Sequence, residues 1–211
     1  MNQTFRVIFY WAAGSSHTIT HNGTEYAINA KKSGIYPQQL HSIIDQLDIC
    51  VMKWRRVLVL RIELHQNHYT NDSQMISRFR KNLARRLDRQ YEITEVGYSW
   101  VREMEKAKQQ HYHLALYLDG DVIQHPRKLN VIIANTWESL RAGNTVGYPS
   151  NCFHYIKDRD SKAKAVYRIS YMAKARGKGY RPPQAKDFSN SRLIAPRKLT
   201  GLVNDTIAGA A

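Results

Sequence analysis

Cysteine is scarce in this chain, long apolar runs are missing, and acidic residues are outnumbered by basic ones, 17 against 32. Cys50 and Cys152 stand far apart and in no CxxC arrangement, which argues against a disulfide framework and a thiolate zinc site. Two reduced thiols fit a cytoplasmic protein. A membrane-spanning helix needs about 18 or more apolar residues in a row, and no such run is present. The stretch MNQTFRVIFYWAAG has only Arg6 ahead of a short apolar patch, so it reads as a strand rather than a signal peptide. The deficit of acid leaves a formal charge of +15, more than solubility requires. That surplus points to a polyanionic partner, nucleic acid first, and not to a membrane.

What is present is enough for one main domain: 211 residues, 43% of them apolar. Residues 4 to 30 alternate apolar and polar around the turn signal His21-Asn22-Gly23-Thr24, which predicts a small antiparallel region. Pro37 opens a helix with Leu40, Ile43, Ile44, Leu47 and Val51 on its buried face. VLVLRIEL, residues 57–64, reads as a central strand. SQMISRFRKNLARRLDRQY follows as a helix after Asn71 and Asp72, with Met75, Ile76, Phe79, Leu83 and Leu87 buried. Its other face carries Arg78, Arg80, Lys81, Arg85 and Arg86, either as a solvated face or as a phosphate-contacting surface. A further helix is expected over 126–142, with Leu129, Val131, Ile132, Trp137 and Leu140 apolar, then a loop and a strand at CFHYI in which His154 is structural. The chain divides into residues 1–54, a core over 55–182, and a basic, Pro-containing tail over 183–211 in which ordered elements are not expected.

Chemistry concentrates in HYHLALYLDG, residues 111–120. On a strand His111 and His113 share a face, with their imidazoles about 6 to 7 Å apart, a spacing one divalent ion can bridge. YEITEVGYSWVREME should pair with this strand as a hairpin. A turn centred near Lys108 sets Glu103 opposite His113 and Glu105 opposite His111, so either carboxylate could complete a metal site. Downstream, SKAKAVYRISYMAKARGK predicts a helix over 161–178 with a glycine stop. At about 100° per residue, Lys164, Tyr167, Tyr171, Lys174 and Lys178 gather on a face away from Val166 and Ile169. A phenol with cations beside it and a divalent ion, Mg or Mn, on the phosphate is equipped to attack phosphorus.

His-hydrophobic-His on a strand, followed by Tyr-x-x-Lys on a helix, resembles the HUH endonucleases: rolling-circle replication initiators, relaxases and related transposases. WVRE, HYHLALYLDG and SYMAK together are similar to the replication proteins of filamentous phages and bacterial prophages, over roughly residues 55 to 195. The resemblance implies an α+β, ferredoxin-like antiparallel sheet with helices on one face. It also implies His111, His113 and Glu103 as metal ligands, and Tyr171 as nucleophile beside Lys174. The implied reaction nicks single-stranded or hairpin origin DNA and later rejoins it, with a host helicase and polymerase as partners in a bacterial cytoplasm. Two departures stand out. Ser170 occupies the first lysine place of a Tyr-x-x-Lys-Tyr-x-x-Lys pattern, although Tyr167 occupies the first tyrosine place of a second nucleophile. Glu63 stands where the family's first strand motif usually ends in Asp, and the residues alone give it no chemical role. Lys164 and Lys178 join the α-helical arginines as candidate DNA contacts. A transposase or relaxase on the same fold, and a non-catalytic basic DNA-binding regulator, are the competing readings.

Overall fold

The computed structural model describes residues 8–10, 17–30, 33–104, 109–178 and 183–196. Six strands make one antiparallel sheet, in the order β10-β6-β7-β5-β8 with β9 also paired to β5. They are β5 (Val57–His65), β6 (Gly97–Glu103), β7 (His111–Asp119), β8 (Thr145–Gly147), β9 (Phe153–Ile156) and β10 (Phe188–Asn190). Helix α2 (Gln74–Tyr91) joins β5 to β6, and α3 (Pro126–Glu138) joins β7 to β8. Strand, helix, two strands, helix, strand, with the first strand between the third and the last, is the ferredoxin-like arrangement.

Helices cover both faces, a difference from the single covered face expected. α2 and α3 pack on Leu58, Leu60, Ile62, Leu64, Tyr112, Leu114, Leu116 and Leu118. On the opposite face α1 (Pro37–Lys53) and α4 (Arg159–Ile169) pack on Val57, Val59, Val101, Ala115 and Tyr117. The reason lies in the strands: β5 and β7 are apolar at both parities over most of their length, so each face needs a cover. The second cover is incomplete. At the end of the sheet where β5 and β6 finish and β7 begins, the same parity changes to Arg61, Glu63 and His65, to Glu103, and to His113 and His111. The sheet face is thus oil at one end and chemistry at the other.

Strand pairs β1 (Ile8–Tyr10) with β4 (Ser33–Ile35) and β2 (Thr18–His21) with β3 (Thr24–Ala27) flank this layer. The β2–β3 turn places Asn22 at φ 48° and Gly23 at φ 75°, as a two-residue hairpin requires. Of the N-terminal stretch read as a strand, β1 is the part within the described residues.

Several boundaries depart from the sequence reading. α3 ends at Glu138 and turns Ile133 inward, leaving Val131 56% exposed. Residues 183–196 supply the edge strand β10, whose pairing with β6 at Phe188↔Val101 replaces the loose segment expected there. Most consequential, the helix expected to 178 stops at Ile169, and a 3-10 turn covers Ser170–Ala173. Competition from β4 explains the stop. Tyr36 N donates to Ala173 O at 2.9 Å and Ala175 N to Gly34 O at 2.7 Å, while the Ser170 hydroxyl bonds back to Tyr167 O at 2.7 Å and accepts from Asn29 N at 2.8 Å. These bonds satisfy backbone groups that a longer helix would have claimed. Both cysteines are free, with Cys50 buried.

Gly97 marks the tightest passage between α1 and the sheet: a Cβ there would lie 2.6 Å from Cys50 Sγ and 2.9 Å from Tyr117 Cβ. Gly97→Ala is therefore expected to destabilise the fold by about 1 to 3 kcal/mol. Urea unfolding monitored by circular dichroism measures this, and Cys50→Ala in the same chain should recover part of the loss.

Candidate metal centre and nucleophile

The β5–β7 register sets Glu63 opposite His113 and His65 opposite His111; the β6–β7 register sets Glu103 opposite His111. The hairpin is thus shifted by two positions from the expected pairing of Glu103 with His113. The shift keeps every parity, so Glu103 still faces both imidazoles. Its Oε2 lies 3.0 Å from His113 Nε2 and 3.7 Å from His111 Nε2. Among the described residues, Glu103, His111 and His113 form a group whose ligand atoms all lie within 4.8 Å of one another. Glu105 lies outside the described residues.

These atoms fit a divalent ion. Two imidazole nitrogens and a carboxylate oxygen are donors that Mn²⁺ and related ions accept. His113 Nε2 is buried and has no aligned hydrogen-bond partner, even with the Glu103 carboxylate 3.0 Å away. The other oxygen of Glu103 is occupied, because Lys178 Nζ donates to Oε1 at 2.9 Å. On the far side of His113, Nδ1 lies 3.3 Å from Glu63 Oε1. A proton on Nδ1, donated to Glu63, would leave Nε2 free to ligate a metal.

The electrostatics follow from this packing. Contact with His113 and the Arg61 guanidinium hold the Glu63 carboxyl at about 2, against burial, which works the other way. Burial also pushes Glu103 up, but His113 and Lys178 outweigh it and bring the group to about 2. Burial works to lower His113, and the two carboxylates reverse the direction and raise it. His111 is lowered by burial and by the neighbouring His113.

Tyr171 arrives from the 3-10 turn. Its ring meets His113 edge-on with centroids 5.3 Å apart, the Arg61 guanidinium lies 4.4 Å from its centroid, and Lys174 Nζ lies 4.8 Å from it. Burial and the Glu103 carboxylate raise the phenol's pKa, while Arg61 opposes them. Lys174 is lowered by burial and by Arg61. The structure therefore gathers His111, His113, Glu103, Tyr171 and Lys174 at one place. Tyr167 is elsewhere: it is exposed on α4, with the Arg168 guanidinium 5.9 Å from its ring. Lys178, expected on a basic surface, is instead 2% exposed and paired to Glu103. Lys164 is exposed on α4. Arg78, Lys81, Arg85 and Arg86 are exposed on α2, which covers the face of the sheet opposite the cluster.

Sequence reasoning missed Arg61, Glu63 and His65. Arg61 Nη2 bonds Glu63 Oε1 at 3.0 Å, and His65 stacks on His111 at 5.4 Å. The available signal was three polar residues at alternate positions of an otherwise apolar strand.

Residues 17–191 match the family described as YagK/YfjJ C-terminal domain. The uncharacterized protein YfjJ of Escherichia coli K12 is 25% identical, over 68% of this chain and 88% of YfjJ. No solved structure matches. The matched residues run from His17 to Ser191 and include every residue of the cluster.

The Glu63 carboxyl sits at about 2 in the folded chain against an ordinary 4.5. A depressed carboxylate adds stability that is complete above its unfolded value and is lost as the pH falls toward the folded one. Glu63→Gln should therefore flatten the loss of thermal stability between about pH 4.5 and pH 2, as read by melting temperature across that window in metal-free buffer.

Proposed function

This chain belongs to the YagK/YfjJ C-terminal domain family, and from that premise and the geometry above we propose that it is a metal-dependent endonuclease of the HUH type, which nicks and rejoins one strand of DNA through Tyr171. The observation that carries the reading is the edge-on contact of Tyr171 with His113, which puts a phenol beside a His–His–Glu group on a chain of formal charge +15.

In this reading the Tyr171 hydroxyl oxygen attacks a backbone phosphorus, the bond from phosphorus to the 3′ oxygen breaks, and a 5′-phosphotyrosine forms. The phenol's proton leaves as the new bond forms, and the departing 3′ oxygen ends as a hydroxyl. That hydroxyl, attacking the phosphotyrosine, reverses the step and rejoins the strand. A divalent ion held by His111, His113 and Glu103, Mg or Mn, would polarise the phosphate and neutralise charge on its oxygens. Arg61 and Lys174 flank the ring, and Arg61 works toward the phenolate against burial and the Glu103 carboxylate, which oppose it. Glu63 orients His113, and Lys178 holds the Glu103 oxygen that the ion does not use.

The biological setting that suits this chemistry is initiation of rolling-circle replication on phage or plasmid origin DNA, single-stranded or hairpin, in a bacterial cytoplasm with a host helicase and polymerase. A transposase or relaxase would use the same atoms on different DNA. Among the described residues no helix is long and apolar enough to cross a membrane.

With Mn²⁺ and a labelled pool of hairpin oligonucleotides, the chain should form a covalent adduct that migrates with the protein on a denaturing gel. EDTA and Tyr171→Phe should each remove the adduct, and Tyr167→Phe should leave it. Adduct that persists in Tyr171→Phe would overturn the assignment of the nucleophile.

A further inference from the structure

On the face of the sheet opposite the metal cluster, a half-open cleft of roughly 410 Å³ runs between α2, β6 and the segment after β10. One stripe of α2 forms its wall, Ser77, Arg80, Lys81 and Ala84, at the three- and four-residue spacing of a single helix face. The small residues leave room and the two between them supply charge. Arg192 adds a third cation from the opposite wall, and Leu83, Val96, Leu116 and Leu193 line the apolar floor. Glu95 also lines the cleft, but its carboxylate pairs with Lys53 at 3.0 Å.

Arg80 is the informative member. Its guanidinium lies 4.4 Å over the Tyr98 ring and bonds the Tyr98 hydroxyl, its Nε is buried without a partner, and no carboxylate reaches it among the described residues. A half-buried cation without a counter-ion is costly unless an anion completes it. A planar guanidinium suits a phosphate well. Tyr98 and Glu103 are five positions apart on β6. That separation is ~17 Å along the strand, with the two side chains on opposite faces of the sheet.

We propose that this cleft is a second nucleic-acid site, which takes the phosphodiester backbone of a strand away from the point of nicking, with Arg80, Lys81 and Arg192 as phosphate contacts. The proposal rests on the DNA-processing reading of the metal cluster but occupies different residues, on the other face of the sheet. A free nucleotide offers the same phosphate chemistry, so the test separates the two sources.

The probe is fluorescein-labelled dT30, with binding to the full chain followed by anisotropy across a salt series. Lys81→Ala/Arg192→Ala changes two exposed side chains and leaves the metal cluster intact. Each lost phosphate contact on a single strand lowers the slope of log affinity against log salt by about 0.7, so a loss of about 1.4 is expected. Unlabelled dTMP at millimolar concentration should compete poorly. A variant slope equal to wild type would overturn the proposal, and so would complete competition by dTMP, which would assign the cleft to free nucleotides. Binding by wild type that is lost in the variant, on a chain that forms no covalent adduct, would uphold the cleft while removing the nicking reaction. No binding of dT30 by wild type would remove both.

Discussion

His113 is held between two carboxylates, Glu63 at its Nδ1 and Glu103 at its Nε2, 3.3 and 3.0 Å away, and the polar end of the sheet is arranged around that contact. Setting one buried and one partly buried carboxylate beside a single ring is costly unless something compensates them. Arg61 pairs with Glu63 and Lys178 with Glu103, each at 2.9 to 3.0 Å. The division of labour on Glu103 is what opens the site: one oxygen satisfies Lys178, and the other faces both imidazoles. Central placement of β7 between β5 and β6 makes this possible, because only the middle strand has a carboxylate to reach on either side.

The second dependence is on a helix that ends early. If α4 continued to Gly177, its backbone would have no bonds to offer β4, and the positions of Tyr171 and Lys174 would follow a helical spiral. Instead the chain leaves the helix at Ser170 and pairs with residues 34–36. The 3-10 turn brings the phenol against His113 and under Arg61. The polypeptide thus uses ordinary backbone hydrogen bonds to aim a side chain at a charged cluster.

Much of this was legible in the residues. Alternation on HYHLALYLDG correctly places His111 and His113 on one face, and the hairpin brings Glu103 to them, because parity survives a register shift of two. The actual register was not legible, since turn geometry sets it and strand alternation leaves it open. Glu63 and Arg61 showed only as polar residues on an apolar strand, and what they would meet was not legible: β5 meets β7 across a connection through α2 and β6, and sequence alone does not fix that non-local pairing. Lys178 illustrates the limit of angular bookkeeping. It was assigned to a basic ridge on the premise of a continuous helix, and the premise fails where β4 competes for the backbone. The basic face of α2 was readable as charge, but its position behind the sheet, away from the cluster, came only with the fold.

Nicking through Tyr171 requires that Glu103, His111 and His113 hold one divalent ion. Calorimetric titration of the metal-free chain with Mn²⁺ tests it most directly. One ion bound per wild-type chain, and none at the same concentrations by His113→Ala that retains its circular dichroism spectrum, is the predicted result. An unchanged isotherm in His113→Ala, or no binding by wild type, would contradict it.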